Sequence, residues 1–155
     1  MPDAARFSPH FTVAEMIESD VARRHNFNNS PNGNERIYLA DLCNFYLEPV
    51  RSLVARPLRV TSGYRCPELN TLIGGARYSA HIDGRAADIK VKGLSAAALM
   101  RRIYRSELMP KIDQLILEYG GWVHLGIARR GTRPRAQALI ISVPGLYLPY
   151  TPPVE

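Results

Sequence analysis

Hydrophobic and polar residues recur along the chain with two different periods, and these periods predict where helices and strands lie. Apolar residues repeat every three to four positions over residues 37–54, which predicts a long amphipathic helix at the centre of the core. A shorter helix is predicted over residues 13–24, because Thr12 and Glu15 form a capping-box pattern before it. Ser95 is predicted to cap a third helix that ends near Glu107.

Strands are predicted where apolar and polar residues alternate. The alternation begins at Leu58 with Leu-Arg-Val-Thr-Ser and ends at Gly63. Further strands are predicted over residues 86–91, 113–119, 122–128 and 136–143. Because the last three are joined by short connections, antiparallel pairing is favoured. The pattern therefore predicts an α+β fold, an antiparallel sheet with helices packed mainly on one face.

Residues 64–85 separate the first two predicted strands, and they carry Gly74-Gly75 but little periodicity. Long loops inside compact domains are commonly functional, so this segment is where candidate chemistry is expected. The proline-rich residues 144–155 predict an extended, non-catalytic tail. A length of 155 residues favours a single domain over residues 1–155, with a core of about residues 7–143.

The composition is that of a globular protein, with 46% hydrophobic and 22% charged residues. No apolar run reaches 18 residues, so no membrane insertion is expected. The net charge of +6 favours an anionic partner such as nucleic acid, anionic cell wall or acidic lipid. Cys43 and Cys66 are too few for a disulfide scaffold and have no C-x-x-C spacing, so we expect no special role for them.

Three residues from separate segments form a candidate metal site. His81 ends the long loop, Asp88 lies in the following strand, and His124 lies in a later strand. Two histidines and one carboxylate are a ligand set of catalytic zinc, whose fourth position is left to water. By spacing alone, these residues also fit ordinary core or surface histidines. His10 and His25 have no partner pattern and are expected to have no role in the site.

Several motifs follow one another in order over roughly residues 7–128. They are Phe11-Thr-Val-Ala-Glu15, Val60-Thr-Ser-Gly-Tyr-Arg65-Cys-Pro-Glu-Leu-Asn70, Gly74-Gly75, Ser79-x-His81-x-x-Gly84-x-Ala86-Ala87-Asp88-Ile89, and Asp113-Gln-Leu-Ile-Leu-Glu118 leading into Trp122-Val-His124. This series resembles the zinc D-alanyl-D-alanine carboxypeptidase family, above all its small phage and prophage members. That family is related to lysostaphin-type peptidases and to the hedgehog signalling domain, whose fold is therefore expected here.

The resemblance implies that His81, Asp88 and His124 bind Zn²⁺ and that the protein cleaves peptide bonds in peptidoglycan stem peptides. The enzyme would be a carboxypeptidase or endopeptidase of the endolysin kind. Arg65 would meet the scissile carbonyl or a substrate carboxylate, because an always-charged guanidinium suits a developing oxyanion. A structural ion pair is the alternative for this arginine.

The general base is expected to be Glu118. In several branches of the family an acidic residue lies three positions before the last histidine ligand, and Gly121 occupies that position here. Glu118 lies six positions before His124, a spacing that resembles the hedgehog signalling domain. A three-residue turn would pair Glu118 with Trp122 and place it on the face of His124, whereas a two-residue hairpin would pair it with Val123 and point it away.

Other residues near the motifs have two interpretations each. Ser79 would hydrogen-bond a peptide terminus or cap the loop, and Tyr78 and Trp122 would line the cleft or pack in an ordinary way. Asp83 and Asp113 are weaker alternatives for the base.

The arginines suggest a solvated face or attraction to anionic cell wall, an attraction that salt would screen. They are Arg129, Arg130, Arg133 and Arg135 in a predicted hairpin turn, and Arg101, Arg102 and Arg105 on one helix. No recognised nucleic-acid-binding module is present, so no specific nucleic acid is expected as a partner.

The expected partner is bacterial peptidoglycan. The first residues show no signal-peptide pattern, so we expect synthesis in the cytoplasm and action in the periplasm or cell wall after phage-type delivery. Because Gly121 replaces the usual acid, a second hypothesis is a non-catalytic, zinc-stabilised cell-wall-binding or virion structural module.

Overall fold

Two β-sheets are present in the part of the chain that the computed structural model describes, residues 5–154. The first is a short antiparallel pair formed by β1 (Arg6–Ser8) and β2 (Phe11–Thr12). The second has six strands, which in chain order are β3 (Arg59–Ser62), β4 (Ala86–Lys90), β5 (Gln114–Glu118), β6 (Trp122–Gly126), β7 (Gln137–Ile141) and β8 (Tyr147–Pro149).

The order of strands across the large sheet is β3-β4-β6-β5-β7-β8. Every neighbouring pair is antiparallel except β5 and β7, which are parallel with Gln114 opposite Gln137. The α+β class is confirmed, and the sheet is mixed rather than wholly antiparallel. The prediction of a hairpin turn over the arginines after β6 is wrong, because β5 lies between β6 and β7. Residues 127–136 connect β6 to β7 and pass the first residue of β5, Gln114, which is opposite both Gly126 and Gln137.

Six α-helices of residues 5–154 accompany the strands. They are α1 (Val13–Ile17), α2 (Asp20–Arg24), α3 (Gly33–Leu42), α4 (Glu48–Val54), α5 (Pro67–Leu72) and α6 (Ala96–Tyr104). The predicted long helix is present as α3 and α4, which a π-helical turn over Cys43–Leu47 joins. The predicted helix over residues 13–24 is two helices. Thr12 and Glu15 form the expected capping box, but Glu18 is extended and Ser19 caps a new helix.

The predicted loop over residues 64–85 is more ordered than its sequence indicated. It contains α5, which begins at Pro67, and a 3₁₀ turn over Ala80–Asp83. Both segments are too short to show a hydrophobic period, which is why the sequence pattern did not reveal them.

Alternation along the strands gives the large sheet two different faces. One face packs on the helices through buried apolar side chains, among them Ala87, Ile89, Leu115, Leu117, Val123 and Leu125 of the sheet and Leu39, Leu47, Leu99 and Ile103 of the helices. Residues at the intervening positions, including Asp88, Ile116 and His124, lie on the opposite face. Helices therefore pack mainly on one face, as predicted, and the other face is available for a site.

Part of the proline-rich tail belongs to the large sheet. β8 lies in the segment predicted to be an extended tail, and it pairs with β7 through Ile141 and Tyr147. Cys43 and Cys66 are buried free thiols. Within residues 5–154, no helix has the length and apolar character required to cross a membrane.

Candidate functional site

His81, Asp88 and His124 form a tight triangle of ligand-type atoms on the open face of the large sheet. His81 Nε2 lies 3.2 Å from His124 Nδ1 and 3.3 Å from Asp88 Oδ1, and His124 Nδ1 lies 3.1 Å from the same oxygen. All three residues are buried, with at most 7% of any of them exposed. The structure thus brings together the three residues that the sequence singled out.

Sheet register and a short turn position this triangle. Asp88 on β4 is directly opposite His124 on β6, so their side chains share a face. His81 lies in the 3₁₀ turn after the long loop, where the Ser79 hydroxyl accepts a hydrogen bond from the His81 amide. Gly84 ends the turn in the left-handed region at a φ of 77°, which favours glycine. The turn and the sheet therefore bring residues 43 positions apart into contact.

The spacing of the three atoms fits a metal ion. Tetrahedral zinc with bonds of about 2.0–2.2 Å separates neighbouring nitrogen and oxygen ligands by roughly 3.3–3.6 Å. The separations of 3.1–3.3 Å are close to this. His81 Nδ1 lies 2.7 Å from the Gly63 carbonyl oxygen, which can only accept, so Nδ1 carries the hydrogen. In neutral His81 the Nε2 lone pair then faces the other two ligands, as metal binding requires.

The protonation states of the cluster also suit a metal. Burial lowers the pKa of His81, so the imidazole is neutral at pH 7. Burial alone would raise the pKa of Asp88, but its contacts with His81 and His124 outweigh burial and hold that pKa well below its usual range. A neutral imidazole and an ionised carboxylate are the forms that bind zinc.

Glu118 lies beside the triangle because of the turn between β5 and β6. Glu118 pairs with Trp122 across a three-residue turn, so the turn condition stated from the sequence is met. Tyr119 and Gly120 occupy the left-handed region, and the Gly121 amide donates to the Glu118 carbonyl at 2.9 Å. Glu118 Oε1 lies 3.9 Å from His124 Nδ1. Burial raises the pKa of Glu118, and the charge of Asp88 adds to this effect.

Comparison with known proteins identifies the family. The sequence model of the family described as Peptidase M15 matches residues 9–126. The chain belongs to the M15 peptidase family. This family comprises zinc D-alanyl-D-alanine carboxypeptidase-type enzymes, as the sequence motifs indicated. Among curated proteins, none matches the chain.

Membership of the M15 family supports a hydrolase activity, and the metal-type triangle agrees with the zinc dependence that is general in this family. The matched segment contains the triangle, Arg65 and Glu118, and it ends at Gly126, the last residue of β6. β7 and β8 lie beyond it.

Arg65 of this M15 chain contacts both the metal-type triangle and the cleft. Its Nη2 lies 3.3 Å from Asp88 Oδ2, the oxygen that does not face the histidines. Its Nε donates to the Ser62 hydroxyl at 3.1 Å, and its Nη1 lies 3.4 Å from Asn70 Oδ1. The side chain is 14% exposed and borders the cleft. The ion pair foreseen as the alternative therefore exists, and it leaves the guanidinium at the cleft.

The three residues predicted to bind substrate all border the same cleft. Tyr78 is 83% exposed, and its ring lies under the guanidinium of Arg77. Ser79 caps the His81 turn, which is the loop-capping interpretation. Trp122 packs against Tyr119, and its Nε1 is buried.

The weaker candidates for the base are held elsewhere by arginines. The Asp83 carboxylate accepts from Arg85 at 2.9 Å and from Arg129 at 3.1 Å. The Asp113 carboxylate accepts from Arg135 at 2.8 Å. Neither carboxylate joins the group of His81, Asp88 and His124.

Two histidines and one more arginine have partners outside the triangle. His10 pairs with Glu48 at 2.8 Å, and His25 stacks on Phe27. Arg130 pairs with Asp41 at 2.8 Å.

Several cleft residues were not foreseen from the sequence. They are Gln114, Ile116, Gln137, Leu139 and Tyr147, which border the cleft on β5, β7 and β8. Alternation indicated which residues of each strand share a face, but it did not indicate that β7 would lie beside β5. The Gly63 carbonyl that holds His81 was also missed, since a backbone oxygen has no sequence signature.

Proposed function

We propose that this M15 chain is a zinc peptidase that hydrolyses peptide bonds in peptidoglycan stem peptides. The observation that carries the proposal is the buried triangle of His81, Asp88 and His124 with the Glu118 carboxylate 3.9 Å from His124. Three protein ligands that leave one position open are typical of catalytic rather than structural zinc. A carboxylate next to that position is where a general base is needed.

His81, Asp88 and His124 would hold the metal, which when bound lowers the pKa of water to about 7 and polarises a carbonyl oxygen. Glu118 takes the proton from the attacking water and later delivers it to the nitrogen of the leaving amine. Glu118 lies on the cleft side of β5. One carboxylate can serve both steps there, because the attacking oxygen and the leaving nitrogen are bonded to the same carbonyl carbon of the substrate.

Arg65 stabilises the negative charge that develops on the carbonyl oxygen. Its guanidinium is fixed by Ser62 and Asn70 on one side and by Asp88 on the other, so little reorganisation is needed when the charge forms. The planar fork can keep its contact with Asp88 and still present an N–H group to the cleft.

Peptidoglycan is the proposed substrate because the family acts on D-alanyl-D-alanine bonds and because the chain carries a charge of +6, which favours an anionic wall. We propose action in the cell wall after phage-type delivery, by a single domain over residues 1–155.

The test is digestion of purified peptidoglycan followed by mass spectrometry of the released fragments. Zinc-loaded wild type, chelated protein and Glu118→Ala are compared, with Glu107→Ala as a control at an exposed glutamate after α6. We expect one kind of peptide bond to be cleaved by wild type and by Glu107→Ala only. Zinc content is measured for each sample.

Two outcomes would contradict the proposal. If fully zinc-loaded wild type binds the wall without releasing fragments, the protein is the binding or virion module instead. If cleavage persists in Glu118→Ala with unchanged zinc content, another group is the base.

A further inference from the structure

The cleft at the metal-type triangle continues across the large sheet well beyond the triangle. Its volume is about 840 Å³, and its border runs from the loop before His81 to Tyr147 on β8. This is near the upper end of the roughly 300–1,000 Å³ found for pockets that enclose drug-sized ligands. The proposed chemistry occupies only the end of the cleft formed by β4, β6, Glu118 at the end of β5, and the segment that carries Arg65 and His81.

Strand register resolves the rest of the cleft into a floor and two walls. Ile116 and Leu139 are directly opposite each other on β5 and β7, in the same row as His124, and they form an apolar floor that leads away from the triangle. Ile116 is 3% exposed, and Leu139 is half-buried.

The two walls differ in chemistry. On one side, Gln114 and Gln137 are paired across the strands by a 2.9 Å hydrogen bond from Gln114 Nε2 to Gln137 Oε1. Their remaining oxygen and nitrogen are an acceptor and a donor of the kind that a peptide backbone requires. On the other side lie Glu118, the indole of Trp122 and the half-exposed ring of Tyr147. They belong to one row across the sheet, in which Glu118 is opposite Trp122 and Ile141, and Ile141 is opposite Tyr147.

The arginines at the border of the cleft do not make this part of it strongly positive. Three arginines at its border are each compensated by an aspartate, as Arg65 pairs with Asp88, Arg85 with Asp83 and Arg135 with Asp113. Arg77 lies at the outer loop, stacked on Tyr78. An apolar floor between an amide wall and an aromatic wall selects by shape and hydrogen bonding, which suits a peptide segment rather than a free anion.

β7 and β8 supply this half of the cleft, and both lie after the segment that matches the M15 family. We propose that Ile116 and Leu139, with the Gln114–Gln137 pair and Tyr147, form a subsite for an extended peptide segment whose side chain rests on the apolar floor. The inference builds on the proposed function and specifies its substrate: a peptide that continues past the scissile bond toward β8, rather than a dipeptide.

The test combines Leu139→Trp, which fills the floor, with Tyr147→Ala, which removes one wall. Leu148→Ala is the matched control, because Leu148 is half-exposed on the same strand but points to the other face, opposite Ile140. Each zinc-loaded protein is assayed on a blocked dipeptide and on stem peptides extended on the amino or the carboxyl side of the same bond.

We expect Leu139→Trp to reduce kcat/KM at least tenfold for one extended series and less than twofold for the dipeptide. Tyr147→Ala should lower kcat/KM for the same series, and Leu148→Ala should behave as wild type. The subsite is refuted if Leu139→Trp leaves kcat/KM unchanged for both extended series, or if it lowers kcat/KM equally for short and long peptides.

A binding measurement separates failure of the subsite from failure of the proposed function. Calorimetry on zinc-loaded Glu118→Gln protein should give a Kd at least tenfold lower for the extended peptide than for the dipeptide, and Leu139→Trp in the same background should abolish the difference. If wild type cleaves no peptide but this difference is found, the hydrolase proposal fails and the subsite stands. Equal Kd values for short and extended peptides refute the subsite.

Discussion

Arg65 makes several contacts at the same time through one guanidinium group. Its guanidinium bridges Ser62, Asn70 and Asp88 while it borders the cleft. Each of the three guanidinium nitrogens contacts a separate partner, an arrangement that an ammonium group cannot reproduce. The sequence left two interpretations open for Arg65, a structural ion pair and a cation that faces the cleft. Both apply, because one part of the guanidinium contacts Asp88 and the side chain also borders the cleft.

Replacement of Arg65 by lysine should therefore lower kcat while the metal site remains. We expect a loss of roughly 10²–10³-fold in kcat, the range for removal of one oxyanion-stabilising group. Zinc content should stay at one equivalent, because lysine keeps a positive charge near Asp88 and the three ligand residues are unchanged. Arg133→Lys, at an exposed position, serves as the control. An unchanged kcat would remove Arg65 from the mechanism.

Asp113 should make stability depend on pH. Burial alone would raise its pKa, but hydrogen bonds from Arg135 outweigh burial and lower the pKa in the folded state. The carboxylate then stabilises the fold above its unfolded pKa of about 4, and this contribution is lost as pH falls through the folded pKa. Asp113→Asn should cost roughly 1–3 kcal/mol at pH 7 and progressively less below pH 4.

Urea denaturation at several pH values measures this effect. Asp20→Asn, whose pair with Arg23 is 79% exposed on the aspartate side, should cost less than about 1 kcal/mol at any pH. A destabilisation of Asp113→Asn that stays constant from pH 7 to pH 3 would show that Asp113 acts through packing and not through its charge.

At the scale of elements, the end of β3 links the helical layer to the metal-type triangle. Gly63 follows β3, and its carbonyl oxygen accepts the hydrogen bond from His81 Nδ1. A Cβ atom at this position would lie 2.2 Å from the Met16 carbonyl oxygen at the last turn of α1. The glycine is required because two backbones approach closely, and this approach brings α1 to the strand that supports the site.

Gly63→Ala should therefore destabilise the protein by about 1–3 kcal/mol, the usual cost of overpacking. Gly33→Ala in the first turn of α3 is the matched control, because its Cβ would meet nothing within 4 Å and alanine favours a helix by up to about 1 kcal/mol. Denaturant midpoints compare the two variants. If Gly63→Ala is as stable as wild type, the backbone of Met16 does not approach Gly63 as closely as described.

For the whole molecule, a bound metal would connect three segments that are separate in the sequence. His81, Asp88 and His124 come from a loop turn and from two strands, so an ion bound to all of them stabilises only the folded state. Arg65 and Arg135 at the cleft each pair with an aspartate, so these pairs contribute nothing to the net charge of +6.

Zinc at about a hundred times its Kd should add roughly 2.7 kcal/mol and raise Tm by about 5–10 °C for a chain of this length. His124→Ala should lose this shift, and His25→Ala, at an exposed histidine, should keep it. Thermal unfolding of chelated and zinc-loaded samples, with metal analysis, provides the measurement. A Tm that does not respond to zinc would exclude a metal shared by the three residues.

The elements and the order of the motifs could be predicted because they depend on neighbours in the chain. The capping box at Thr12, the alternation of the strands and the motif around His81 all have signals within a few residues. The same local signals miss short segments, such as the helix that begins at Pro67 and the break at Ser19.

Other features arise only when distant segments meet. The position of β5 between β6 and β7, the hydrogen bond from His81 to Gly63 and the cleft wall at Tyr147 all join residues that no local pattern connects. The family could thus be predicted from residue types in order along the chain. The shape of the cleft depends on which strands become neighbours, since packing of the whole sheet determines that choice.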